Sequence, residues 1–136
     1  MDRSKKVVVL GGGSFGTVLA NLAASNGYQV TLWVRDSEHA LRINSEGANT
    51  IYHPELKLSE NIQASDSLED VMKNASIVFI ATPSIVFEQI IERIRHLLQE
   101  DTYVISCTKG ILGNPFRSLS EVITSNINNT VGVLSG

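Results

Sequence analysis

The segment that most constrains the fold lies near the N-terminus, where an apolar run leads through a glycine-rich turn into an Ala- and Leu-rich stretch. Residues 7–10 are apolar without alternation, which is typical of a strand buried on both faces of a parallel sheet. Residues 18–24 have the composition of a helix. Between them, Gly11, Gly13 and Gly16 have the spacing of a dinucleotide-binding turn.

Each glycine of this turn has a separate predicted role. Gly11 permits a tight turn, Gly13 lets a pyrophosphate approach the backbone, and Gly16 allows close packing of helix and strand. A helix that begins near Ser14 directs its unpaired N–H groups and positive dipole end at the phosphates. The same spacing occurs in ordinary turns, but the flanking strand and helix favour cofactor binding here. Phe15, on the same turn, is either a packing residue or a wall of the cofactor site.

The rest of the chain alternates strands and helices. Further strands are predicted at residues 28–34, 62–64, 75–81, 103–107 and 130–136, and helices at residues 37–46, 67–74, 85–99 and 118–125. Residues 48–58 have no regular period and contain Pro54, so they are predicted to form a long loop. The alternation predicts an α/β fold with a doubly wound, mostly parallel sheet of the Rossmann type and helices on both faces.

Ligands of such sheets bind beyond the carboxyl ends of the strands, where Arg35 follows the second predicted strand. A guanidinium can grip a phosphate or stack on adenine, and arginine at this position suits the 2′-phosphate of NADP. NADPH is therefore favoured over NADH, with NAD still open. In the alternative interpretation, Asp36 caps the next helix and Arg35 is merely solvated.

Two further residues are predicted at the same sheet edge. Pro83 either turns the chain away from the cofactor or is an ordinary first residue of a helix. Lys109 either presents its ammonium group to a substrate phosphate or carboxylate, or is a solvated surface lysine. Cys107 lies in an apolar strand and is predicted to be a small core residue rather than a nucleophile. The histidines have no ligand spacing, so no metal site is expected.

Bulk properties exclude several classes of protein. A length of 136 residues suits one domain, and a net charge of −3 argues against nucleic acid as a partner. No apolar run is long enough for a membrane span. A single cysteine is compatible with a reducing cytoplasm, which is the predicted location.

The motifs together resemble the N-terminal domain of the bacterial-type NAD(P)-dependent glycerol-3-phosphate dehydrogenases. The resemblance rests on segments 11–17, 32–35, 49–54, 81–84, 108–111 and 134–136. It implies interconversion of glycerol 3-phosphate and dihydroxyacetone phosphate, a step that supplies phospholipid precursors. It also implies that Ser14, Phe15 and Arg35 contact the nicotinamide cofactor, and that Lys109 and Gly136 line the cofactor and substrate site.

Two departures from the family pattern qualify this expectation. His53 replaces the usual leucine between Tyr52 and Pro54, which leaves open the cofactor contact assigned to Tyr52. The family continues after the segment that ends at Gly136 into a helical domain with the catalytic lysine, through which a homodimer can also form. We therefore expect residues 1–136 to be the cofactor-binding domain, without a catalytic residue and inactive alone. A non-catalytic NAD(H)-sensing module and a two-domain reductase of another small acid or sugar are the competing hypotheses.

Overall fold

The computed structural model describes residues 5–107, 111–112, 117–118, 129 and 131–133. Its helices are α1 (Ser14–Ser25), α2 (Ser37–Glu46), α3 (Leu68–Met72) and α4 (Ser84–Ile94). Its strands are β1 (Lys6–Leu10), β2 (Gln29–Trp33), β3 (Ile62–Ser65), β4 (Ala75–Ile80), β5 (Tyr103–Ser106), β6 (Ile111–Leu112), β7 (Arg117–Ser118) and β8 (Val131–Val133). Among these described residues, no helix combines the length and the apolar character needed to cross a lipid bilayer.

Six strands form one sheet in the order β3-β2-β1-β4-β5-β8, and all of its pairs are parallel. The chain first builds outward from β1 to β3, then returns to the other side of β1 and builds outward to β8. The reversal between β1 and β4 is the switch point of a doubly wound sheet, next to which such folds bind their ligands. The predicted fold class is confirmed.

The core lies on both faces of the sheet. Val8 and Leu10 pack with the side chains of α3 and α4, among them Phe87. Val7 and Val9 pack on the opposite face with residues of α1 and α2. All four of these β1 side chains are at most 3% exposed, which explains why the strand has no alternating pattern.

The ends of two helices follow local capping chemistry. The Asp36 side chain accepts a hydrogen bond from the Glu38 N–H at 3.1 Å, so it caps α2, as the alternative interpretation of this segment had it. Gly47 ends α2 in the left-handed conformation, with φ of 65°. Ser67 caps α3 through the Asp70 N–H at 3.3 Å.

Two predicted helices differ from the structure. The helix predicted at residues 85–99 ends at Ile94, after which the chain forms turns while Leu97 and Leu98 still pack on the core. The helical spacing of apolar residues in the sequence therefore continues beyond the end of the helix itself. The prediction of a helix starting at Ser118 is wrong, because Ser118 pairs antiparallel with Ile111 in a two-stranded ribbon. Residues 119–125 lie outside the described part.

Candidate functional site

A cleft of about 640 Å³ lies beyond the carboxyl ends of β1, β2, β4 and β5. It brings together most of the residues predicted to bind a cofactor: Gly11, Gly13, Ser14, Phe15, Arg35, Tyr52 and Pro83. Gly16 lies in α1 behind this surface and is buried. Lys109 and Gly136, predicted near the substrate, lie outside the described residues.

The glycine turn is tightly enclosed on one side and open on the other. Gly11 has φ of +118°, and a Cβ there would lie 2.7 Å from the Ala81 carbonyl oxygen. A Cβ at Gly16 would overlap the Gly11 carbonyl oxygen, so α1 approaches the turn closely. A Cβ at Gly13 would meet no atom within 4 Å. The backbone at Gly13 is therefore accessible to a ligand in the cleft.

A buried polar network holds the enclosed side of the turn. Asn49, which is 0% exposed, donates from Nδ2 to the Gly12 carbonyl at 2.7 Å and to Thr17 Oγ1 at 2.8 Å. Thr17 Oγ1 donates in turn to the Gly13 carbonyl at 2.7 Å. The Asn49 Oδ1 lies 2.8 Å from His39 Nε2. These hydrogen bonds fix the long loop to the glycine turn, although the bonded residues are more than 30 positions apart in the sequence.

The same loop reaches the start of α1. His53 Nε2 lies 2.8 Å from Ser14 Oγ and 3.1 Å from the Ser14 carbonyl oxygen. Tyr52 is 49% exposed and lines the cleft, with its ring centroid 6.3 Å from that of His39. The residue that departs from the family pattern therefore contacts the glycine turn directly. The sequence pattern predicted no role for Asn49, in the long loop, or for His39, in α2.

The adenosine side of a bound dinucleotide is predicted at the end of β2. Arg35 is exposed and lines the cleft, while Asp36 beside it caps α2. The Asp36 cap belongs to the alternative interpretation, while Arg35 lies at the cleft edge and its contact with adenosine stays a prediction. A Cβ at Gly12 would overlap the Val34 side chain, so the turn also packs closely against the end of β2.

The far side of the cleft is formed by the ends of β4 and β5. Pro83 is exposed, lines the cleft and precedes the first residue of α4. Cys107 is 9% exposed, and burial raises the pKa of its thiol from 9.0 to about 11. A thiol with so high a pKa stays protonated near neutral pH and is a poor nucleophile. Within the described ranges, no cluster of three or more His, Cys, Asp or Glu residues could hold a metal ion.

Comparisons with known proteins agree with this arrangement. A family model described as the NAD-dependent glycerol-3-phosphate dehydrogenase N-terminus matches residues 6–136. The glycerol-3-phosphate dehydrogenase (NAD(P)+) of Alcanivorax borkumensis is 46% identical over 94% of the chain and 38% of its own length. The enzyme of the same name from Teredinibacter turnerae is 38% identical over 100% of the chain and 40% of its own length.

A solved structure shows the same fold. The crystal structure of glycerol-3-phosphate dehydrogenase from Coxiella burnetii superposes with a TM-score of 0.89 at 29% identity. The superposition covers 98% of this chain and 41% of the Coxiella chain. The chain thus spans about two fifths of the length of the curated relatives it matches.

Proposed function

The chain belongs to the NAD-dependent glycerol-3-phosphate dehydrogenase family, and on this premise we propose that its cleft binds NAD or NADP. We further propose that the whole protein interconverts glycerol 3-phosphate and dihydroxyacetone phosphate, to which this domain contributes the cofactor half. The observation that carries the proposal is the open backbone at Gly13, placed in a cleft at the switch point of the sheet. Family membership favours this function over a sensing module or a reductase of another substrate.

The residues present fit a dinucleotide. The open space at Gly13 admits a phosphate group against the backbone, where a side chain would exclude it. The N-terminus of α1 follows at Ser14, and among the residues of its first turn there is no acidic side chain to repel an anion. The cleft volume of about 640 Å³ falls within the range of small-molecule and cofactor sites.

Different residues of the cleft are assigned to different parts of the dinucleotide. We assign the pyrophosphate to Gly11, Gly13 and the start of α1, with Gly16 supporting the turn from behind. We assign the adenosine ribose to Arg35, whose fork suits the 2′-phosphate of NADPH, so that NADPH is the preferred cofactor. When bound, the nicotinamide supplies the redox chemistry of the reaction.

The exposed residues Phe15, Tyr52 and Pro83 line the same cleft and would flank the bound cofactor. Phe15 is 45% exposed although it is a large aromatic residue. Coverage by a planar ligand would remove that apolar surface from water, which favours binding. Ser14 presents its hydroxyl at the same edge, held by His53 at 2.8 Å.

The substrate side of the proposal rests on sequence. Lys109 is proposed to attract the phosphate of the substrate, beside Gly136, while a catalytic lysine is expected in the part of the family that follows this domain. The 136 residues alone are therefore expected not to reduce dihydroxyacetone phosphate. A cytoplasmic location and a homodimer through that following part belong to the same proposal.

Calorimetric titration with NADH and NADPH tests the cofactor half of the proposal. We expect both to bind, NADPH more tightly, and adenosine to bind much more weakly because it lacks the pyrophosphate. An absence of heat with both dinucleotides at millimolar concentration would refute the proposal. Oxidation of NADH by dihydroxyacetone phosphate, followed by the loss of NADH absorbance, tests the activity of the full-length protein.

A further inference from the structure

Only one orientation of the Asn49 side-chain amide satisfies its hydrogen-bond partners. The Gly12 carbonyl oxygen can only accept, so the atom 2.7 Å from it must be the donor Nδ2. Oδ1 is then the acceptor that faces His39, and the His39 Nε2 atom carries a hydrogen and donates at 2.8 Å. The Asn49 amide is thus bonded at both ends in a fully buried position.

This pattern fixes the direction of two peptide groups in the glycine turn. In a trans peptide the N–H points opposite to the C=O of the same unit. Because Asn49 holds the Gly12 carbonyl on the buried side, the Gly13 N–H points away from Asn49 and toward the open side of the turn. Thr17 holds the Gly13 carbonyl from its Oγ1 at 2.7 Å and its N–H at 3.0 Å. The Ser14 N–H is therefore directed away from Thr17 in the same manner.

We propose that Asn49 is a positioning residue for the phosphate turn, which keeps the Gly13 N–H directed at the pyrophosphate of the cofactor. The proposal rests on the proposed function and assigns Asn49 no direct contact with the ligand. Its main chain serves the same site, since the Asn49 carbonyl accepts from the Tyr52 N–H at 3.2 Å and the His53 N–H at 2.7 Å. One buried residue therefore sets both the glycine turn and the loop that brings Tyr52 and His53 to it.

The Asn49→Asp variant tests the proposal in the full chain. It keeps the shape of the side chain but replaces the donor Nδ2 with an acceptor, which repels the Gly12 carbonyl and favours rotation of the Gly12–Gly13 peptide. We expect the affinity for NADH to fall at least about tenfold, the effect of losing one buried hydrogen bond. The ¹⁵N–¹H resonance of Gly13 should move in the free variant and no longer respond to inorganic pyrophosphate, which shifts it in the wild type.

Asn44→Asp is the matched control. Asn44 also bonds a backbone segment through both ends of its amide, donating to the Ala64 carbonyl at 2.9 Å and accepting from the Ala64 N–H at 2.8 Å. It does so between α2 and β3, away from the cleft lining. We expect this variant to lower the thermal midpoint while NADH affinity stays within about twofold of wild type, a difference too small to count as a lost hydrogen bond.

Thr17→Val provides a second route if Asn49→Asp does not fold. Valine keeps the shape of the buried threonine and removes the hydroxyl that bridges Asn49 to Gly13. We expect NADH affinity to fall several-fold and Thr17→Ser to restore it, since serine retains the hydroxyl.

The outcomes separate this inference from the proposed function. Failure of the wild-type chain to bind NADH overturns both. Wild-type affinity in folded Asn49→Asp or in Thr17→Val overturns the role of Asn49 alone. An equal loss of affinity in Asn44→Asp would show that Asn49 acts only through general stability.

Discussion

The floor and the rim of the cleft are built in different ways. The floor, which we define as Gly11, Gly12, Gly16, Thr17 and Asn49, is closed by neighbouring backbone and the Val34 side chain and is joined by buried hydrogen bonds. The rim, defined as Ser14, Phe15, Arg35 and Tyr52, consists of exposed side chains. Under the proposed function, we expect the rigid floor to determine whether a dinucleotide can enter and the rim side chains to determine which dinucleotide is preferred.

The two regions also differ in what a substitution can change. The floor glycines have no free space, because an added Cβ meets backbone atoms at Gly11 and Gly16 and the Val34 side chain at Gly12. A rim residue faces solvent, where a substitution usually costs little stability. Changes in the floor should therefore affect folding and all cofactors alike, and changes in the rim should discriminate between cofactors.

Gly16→Ala should produce the largest effect and tests whether the floor is as closed as described. The new Cβ overlaps the Gly11 carbonyl oxygen, so either α1 or the turn must move. We expect the free energy of unfolding to fall by about 3 kcal/mol, the upper end of overpacking costs. Urea denaturation measures it, with Gly13→Ala as the control because its Cβ meets open space. Equal losses in the two variants would show that the floor tolerates a methyl group.

Gly13→Val separates binding from folding at the boundary of floor and rim. Gly13 has φ of −76° and ψ of −168°, an extended conformation that valine adopts readily. Its methyl groups would fill the space proposed for the pyrophosphate. We expect a folded protein whose NADH affinity is lower by roughly a hundredfold, or about 2.7 kcal/mol. Calorimetry and the thermal midpoint are the measurements, and retained affinity would limit the glycines to a role in the turn.

The architecture could be predicted from the sequence because it depends on local patterns. Unbroken apolar runs identified the central strands, and the predicted starts of α2 and α3 lie at or next to their capping residues, Asp36 and Ser67. The apolar period misled where it continued past Ile94. The two-residue strands β6 and β7 are too short to produce any period.

The site was predicted in part, and its missing members share a physical reason. The glycines and Arg35 follow predicted strands, so strand position alone places them at one edge of the sheet. The contact of Asn49 with Gly12 and that of His53 with Ser14 span 37 and 39 residues of sequence. Long-range hydrogen bonds from an aperiodic loop leave no pattern that a single sequence can display.

Arg35→Ala tests the rim as the determinant of cofactor choice. If the guanidinium binds the 2′-phosphate, NADPH affinity should fall about tenfold while NADH affinity changes less than about threefold, as expected for an exposed charge-assisted contact. Arg42→Ala is the matched control, because Arg42 is an exposed arginine of α2 that bonds Thr50 and Glu46 outside the cleft lining. Equal losses for both cofactors would indicate stacking on adenine instead.

The smallest effect concerns Cys107 and measures how well the far side of the cleft, at the end of β5, excludes water. Burial raises the pKa of the Cys107 thiol in the folded protein from 9.0 to about 11. The unfolded chain releases this proton first as the pH rises. The stabilising contribution is therefore complete below pH 9.0 and is lost between pH 9.0 and about 11.

At about pH 9.5 the ionisation of Cys107 in the unfolded chain lowers the free energy of unfolding by roughly 0.8 kcal/mol relative to neutral pH. Cys107→Ala removes the titrating group and adds only a cost that does not depend on pH. We therefore expect the stability of the wild type, measured by urea denaturation, to fall more steeply than that of the variant between pH 8 and about pH 9.5. Parallel curves would mean that solvent reaches the thiol and that the cleft is wet on this side as well as at its rim. In that case the difference between a closed floor and an exposed rim would be confined to the glycine turn and the residues bonded to it.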